Sequence, residues 1–200
     1  NLLIDSGYAK NIHISYNTNL SYSKFKKYDL TQLWANFKKV SIWPSVDGYG
    51  SRVEYARKGL SWPKFEKHAI MFKEHIQTVS CVINIYSITS MPDLIIWCKR
   101  NDFDFYGSTQ LEPSYQKVTC LPKESKQQVL DIYKKFIKEY RPILTTYDLE
   151  QIKNWLSYMT STDESSQLVS FKQETERVDK LRNESFVKTF PEFASWYESI

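Results

Sequence analysis

The chain has 200 residues, of which 42% are hydrophobic and 16% aromatic, with 14 Tyr, 11 Phe and 6 Trp. This fits one domain of ordinary size or the larger part of one, too apolar for a disordered chain, and five Gly and seven Pro exclude collagen-like or Gly/Pro-rich low complexity. A net charge of +4 with both signs interleaved, a mean hydropathy of −0.50 and no apolar run near 18 residues argue against a dedicated nucleic-acid stripe and a membrane span.

In chain order, residues 12–16 are short and β-branched and predict a strand, closed by the turn-former Asn17-Thr18-Asn19. Lys24, Lys26 and Lys27 read as a solvated loop. Asp29 is placed to cap a helix through Phe37, with Leu30, Leu33, Trp34 and Phe37 on one face. Residues 40–46 alternate as a strand that ends in the turn Asp47-Gly48. A short helix over 51–57 is closed by Gly59, and Pro63 opens another that runs to about residue 76. Residues 79–86 are mostly apolar, as expected of a strand buried on both faces. A helix over 91–99 and a last strand over 103–107 follow.

Residues 107–120 are irregular, with Pro113 breaking them. The pattern then becomes helices only, over 123–140, 147–159 and 165–183, ending in an aromatic segment of Phe186, Phe190, Phe193, Trp196 and Tyr197. Strands alternating with helices predict parallel βαβ units. The expected plan is a partial (β/α) barrel with about four parallel strands over 1–118 and a helical region over 119–200.

Parallel α/β frameworks carry their sites at the C-terminal ends of the strands. That rule selects Tyr16, Asn17, Thr18 and Asn19, then Ser45, Asp47 and Gly48, then Asn84, Tyr86 and Ser87, then Gly107, Ser108, Thr109 and Gln110. The collection is rich in hydroxyl and amide groups and suits a ribose, a carboxylate or an amino group. Asp47 is its obvious acid. His68 and His75 lie seven apart on one predicted helix, without a carboxylate at metal-site spacing. No GxSxG, Walker or GxGxxG signature occurs. Cys81, Cys98 and Cys120, 17 and 22 residues apart, match no zinc pattern and read as buried thiols in a reducing, cytoplasmic compartment. Asp5 and Lys10 interrupt any signal-peptide core.

Three stretches together resemble a known group: Ile14-Ser15-Tyr16-Asn17-Thr18-Asn19; Val40 to Gly48 followed by Arg52, Glu54-Tyr55, Arg57-Lys58-Gly59 and Trp62; and Lys180 to Phe186 followed by Thr189-Phe190-Pro191-Glu192-Phe193. Their order and content resemble the twitch-domain-containing radical S-adenosylmethionine (SAM) proteins, over nearly the whole chain. The resemblance implies a partial (β/α)6 barrel that holds a [4Fe–4S] cluster and SAM. It also implies an electron donor such as flavodoxin or ferredoxin, reductive cleavage of SAM to a 5′-deoxyadenosyl radical, and hydrogen abstraction from a substrate. Peptides, nucleosides, sugars and tRNA are all substrate classes of the superfamily.

By the same resemblance, Asn17 and Thr18 match the third-strand mouth. Ser45 matches the fourth-strand residue that contacts SAM, and Arg57 matches a position able to pair with the SAM carboxylate. Asn84 and Ser87 lie toward the adenosine, and Asp47 is the candidate catalytic group. The CxxxCxxC cluster loop, the GGEP segment and the auxiliary-cluster cysteines are absent, and Cys81, Cys98 and Cys120 do not replace them. The chain therefore reads as a fragment that begins after the second barrel strand, its four strands being the third to sixth. Trp43-Pro44 departs from the small residues usual before the serine and is expected to bend the strand and displace Ser45. The alternative is a degenerate or split barrel without redox activity, whose aromatics, including Trp196 and Tyr197, bind a protein or peptide.

Overall fold

A computed structural model describes residues 2–200. After a single turn of helix, α1 (Leu2–Asp5), the chain enters strand β1 (His13–Thr18) and a small hairpin of β2 (Lys24–Phe25) and β3 (Tyr28–Asp29). The lysine-rich stretch read as a loop is this hairpin, with Lys26 in the left-handed region at φ 52°. Asp29 caps α2 (Leu30–Trp34) as its sequence suggests, its Oδ1 accepting the Thr31 N–H at 2.9 Å. Next come β4 (Lys39–Pro44), α3 (Ser51–Ala56), α4 (Trp62–Met71), β5 (Val79–Ile83), α5 (Met91–Arg100) and β6 (Phe105–Thr109). The rest is helical: α6 (Lys123–Tyr140), α7 (Thr146–Ser161), α8 (Leu168–Arg182), α9 (Phe186–Thr189) and α10 (Ala194–Ser199).

The strands are parallel, in two pairs. β1 lies beside β4 with Ser15 opposite Ser41 and Asn17 opposite Trp43, and β5 lies beside β6 with Ser80 opposite Tyr106. The pairs meet through isolated parallel bridges at Ile42–Ile76 and Ser45–Ser80. Pro44 explains why this junction is thin. It has no N–H to give, so the strands touch through Gln77 N–H to Ile42 O and Val46 N–H to Ser80 O, both 2.9 Å. Ser45 is not displaced by the proline. Its N–H reaches Thr18 O at 2.7 Å and its backbone bridges Ser80. The fold is therefore α/β with short parallel pairs, no closed barrel among the described residues, and a helical C-terminal region.

β5 stops at Ile83, three residues before the expected end. Asn84 Oδ1 accepts the N–H groups of Tyr86 and Ser87 at 2.9 and 3.1 Å, and this turns the backbone out of the sheet. Nor is β5 buried on both faces: Val79, Cys81 and Ile83 are buried, whereas Ser80 and Val82 are half-buried. The alternation holds across the sheet. Val40, Ile42, Val79, Cys81, Ile83 and Phe105 face the helices, and Ser15, Asn17, Trp43, Ser45, Ser80, Tyr106 and Ser108 share a more open, hydroxyl-rich face.

One apolar core runs through both halves, from Leu20 and Val40 to Phe193 and Tyr197. α7 seats on β6 where Gly107 leaves room. Trp155 Nε1 donates to Gly107 O at 3.0 Å, and Gly107 N–H donates to Gln151 Oε1 at 2.9 Å. α7 itself starts with a capping box of Thr145 and Asp148. Among the described residues no helix is long and apolar enough to cross a membrane.

Candidate functional site

A hydrogen-bonded chain of polar groups crosses the C-terminal ends of β4, β5 and β6. Arg57, just past α3, donates through Nε to Asp47 Oδ2 at 2.6 Å. Asp47 follows β4 and accepts the Val82 N–H of β5 on its other oxygen at 2.9 Å. The carbonyl of the same Val82 accepts from Ser87 Oγ at 2.8 Å, and Ser87 Oγ accepts the Asn84 N–H at 2.9 Å. Asn84 Nδ2 continues to Gln110 Oε1 at 2.7 Å, and Gln110 Nε2 to Gln116 Oε1 at 2.8 Å, beyond β6.

Asp47 is therefore held from two sides and is mostly buried, with a side chain 14% exposed. Both its oxygens are engaged, so it works as an orienting acceptor. What it orients is the Arg57 guanidinium, a third exposed. Among the described residues the two Nη groups of Arg57 have no protein partner. A guanidinium fixed through Nε keeps its Nη edge for a carboxylate or phosphate oxygen.

The other selected residues divide. Ser45 Oγ lies on the open face, 3.1 Å from Ser80 Oγ, and Asn17 is exposed on that face two strands from Ser80. Thr18 turns its hydroxyl to the Leu20 N–H at 3.1 Å and serves the turn. Asn84 and Ser87 are buried, at 6% and 0% exposure, with their side chains engaged in the network just described. Gln116 and the Val82 backbone had no signal in the sequence. Gln116 enters only because residues 114–120 fold back over the strand ends in two 3-10 turns, where Ile85 N–H also meets Gln116 O at 3.0 Å.

The remainder of the middle stretch is engaged with the C-terminus. Arg52 forms a two-pronged pair with Glu192 at 2.6 and 3.1 Å, and Thr89 joins through a 2.7 Å bond to the same carboxylate. Tyr55 Oη donates to Asp179 Oδ1 at 2.8 Å, and burial, then that hydrogen bond, pushes its hydroxyl well above the ordinary tyrosine range. Lys58 pairs with Glu184, and Arg182 donates to the Tyr55 carbonyl at 3.2 Å.

The thiols do not fit an iron–sulfur cluster, which needs cysteines converging on one cage. Cys81 contacts Met91 Sδ from inside β5, Cys98 is enclosed in α5, and Cys120 donates to Ser114 O. Burial pushes all three thiols up, that of Cys120 to about 11. His68 and His75 bond to the carbonyls of Leu20 and Val40. Among the described residues no group of three or more His, Cys, Asp or Glu side chains converges as a metal site. Comparison with protein-family models, with curated proteins and with solved structures finds no match to this chain.

Proposed function

We propose that this chain is the SAM-facing and substrate-facing part of a radical SAM enzyme, with Arg57 as the receptor for the SAM carboxylate. The observation that carries the reading is the Arg57 guanidinium, aimed through Nε by Asp47 at the strand ends and uncommitted at Nη. Support comes also from four parallel strands met in sequence order, the wiring of a (β/α) barrel wall, and from the three ordered stretches that resemble the family. Ser45 and Asn17 present polar groups on the open face at the same end. When bound, SAM supplies a 5′-deoxyadenosyl group. The residues here bind its amino-acid end and orient it, and the reductive step belongs to a cluster that these thiols do not hold.

Calorimetric titration of the chain with SAM tests this. The expected result is saturable binding that Arg57→Ala weakens about tenfold or more, through loss of a charge-assisted pair, with Arg57→Lys intermediate. Absence of SAM binding by the folded chain, or equal affinity in Arg57→Ala, overturns the reading.

A further inference from the structure

Between the end of β4 and the starts of β5 and β6, a cavity of about 590 Å³ opens beside the hydroxyl-rich face. The strand-end site above does not include it. Its walls are aromatic: Trp43 from β4, Tyr106 from β6 and Tyr147 from the start of α7. Thr78 and Ser80 also line it. Trp43 is half-buried, and among the described residues its indole N–H has no partner and its ring has no aromatic neighbour. Tyr106 and Tyr147 are 48% and 54% exposed, and their hydroxyls are likewise without protein partners, as is that of Thr78. A large aromatic side chain on a strand usually packs against its cross-strand neighbours. Trp43 instead faces the cavity.

The charges select against an anion. The one cation lining the cavity, Lys99, is 2.6 Å from Asp148. Asp148 also closes the start of α7 as the partner of Thr145 in the capping box, so that helix end is neutralised too. Asp104, on the rim, is an exposed acceptor. The ligand is therefore uncharged, or carries an amino group toward Asp104. Trp43 and Tyr106 stand two strands apart, about 10 Å across the sheet, which leaves room for one ring system between them. A saccharide would bring a hydroxyl on nearly every carbon, but the lining offers little to meet them. Ser80 Oγ already donates to Pro44 O at 3.1 Å, leaving Thr78 as the free hydroxyl. A flat heterocycle needs fewer partners. Its faces stack on indole and phenol rings. Its edge meets the Trp43 N–H donor, the Thr78 hydroxyl and the Asp104 carboxylate, which can accept from an exocyclic amine.

We infer that this cavity binds the base of a nucleoside, stacked on Trp43 with Tyr106 and Tyr147 as flanking rings, and without a phosphate. The inference does not rest on the SAM reading: the cavity borders that site, with Ser80 Oγ 3.1 Å from Ser45 Oγ and Trp43 beside Asn17, but it includes neither Arg57 nor Asp47. The test is titration of the full chain with adenosine, cytidine, guanosine and uridine, each alongside its 5′-monophosphate and a methyl pyranoside. Binding is followed by saturation-transfer NMR and calorimetry. The expected result is binding of at least one nucleoside, no gain from the phosphate, and loss of about tenfold or more in Trp43→Ala, with Trp43→Phe largely restoring it and Arg57→Ala without effect. The exposed Tyr106→Ala, whose folding is not at issue, should weaken the same nucleoside. Four results overturn the inference: no nucleoside bound by a chain with wild-type unfolding behaviour; affinity indifferent to Trp43 and Tyr106; preference for the pyranoside; or displacement of the nucleoside by SAM with sensitivity to Arg57, which would place it at the strand-end site.

Discussion

Asp47 carries two hydrogen bonds of different kinds, and substitutions can separate them. One comes from the Val82 backbone at 2.9 Å and the other from the Arg57 guanidinium at 2.6 Å. Asn at this position keeps an oxygen for Val82 but loses the charged pair. A charge-assisted bond is worth about 1.5–3 kcal/mol; with Arg57 a third exposed, solvent screening lowers this to about 1–2 kcal/mol. Ala loses the pair and also leaves the Val82 N–H buried without an acceptor, a further cost of about 1–3 kcal/mol. The expected order is wild type, then Asp47→Asn about 1–2 kcal/mol lower, then Asp47→Ala about 2–5 kcal/mol lower. With a urea slope of about 2–3 kcal/mol/M, the midpoint moves by roughly 0.6 M for Asn and 1 M or more for Ala, read from tryptophan fluorescence. SAM affinity should separate from this order. Both variants release Arg57 from its orientation but keep its charge, so both should bind SAM more weakly than wild type and less weakly than Arg57→Ala. Equal unfolding midpoints for the Asn and Ala variants would refute the two-bond account. Undiminished SAM affinity in Asp47→Asn would refute its orienting role.

Gly107→Ala should destabilise by about 1–3 kcal/mol, because the added carbon would lie 2.4 Å from Trp155 Cζ2 and 3.0 Å from Ile83 Cδ1 while the indole is tied to the Gly107 carbonyl. Thermal unfolding checks it, and Trp155→Leu in the same chain should remove most of the added penalty. For pH, burial pushes the Asp148 carboxyl up, but its hydrogen bonds to Lys99 and Thr145 outweigh this and hold it below the ordinary carboxylate range. A lowered folded-state value gives stability that is complete above the unfolded value near 4 and is lost as pH falls below it. The difference in urea midpoint between wild type and Asp148→Asn should therefore shrink from about pH 5 to pH 3, and a gap that widens on acidification would contradict this sign.

Most of the helical half was legible because local chemistry decides it. α6 lies at the expected residues 123–140, where the 3.6-residue period and a preceding proline coincide, and Asp29 caps α2 as its type suggests. Strand ends were less legible, because side chains reaching across the fold decide them. Asn84 looks like a continuation of an apolar strand until its carboxamide is seen accepting two backbone N–H groups. Pro44 was legible as an interruption, but its consequence was not. The sequence suggested a shifted Ser45, whereas the cost falls on the junction between β4 and β5, since that is the side lacking the N–H. For the site, the rule of strand ends selected Asp47, Asn84, Ser87 and Gln110, all of which share one network. It could not show which of them have an atom left for a ligand, because that depends on partners far away in sequence, such as Gln116.

The same consideration narrows what the middle and terminal stretches do. Arg52, Tyr55 and Lys58 look like a polar face of α3 and its end, available to a ligand. Each instead meets a carboxylate more than a hundred residues on: Glu192, Asp179 and Glu184. Glu54 closes locally on the Trp62 N–H at 2.8 Å. The aromatic rings between them complete the joint, with Tyr55 packed edge-on against Phe190 and the Arg52 guanidinium over the same ring. These residues therefore fasten the C-terminal helices to the loop after β4, which is a structural reason for the two stretches to occur together. Arg57 is the exception. It has no partner among the C-terminal helices and turns back to Asp47, ten residues before it, with its side chain a third exposed and its remaining donors uncommitted. If a ligand carboxylate is read by this stretch, Arg57 is the group left to read it, and the C-terminal joint acts by holding in place the loop from which it projects.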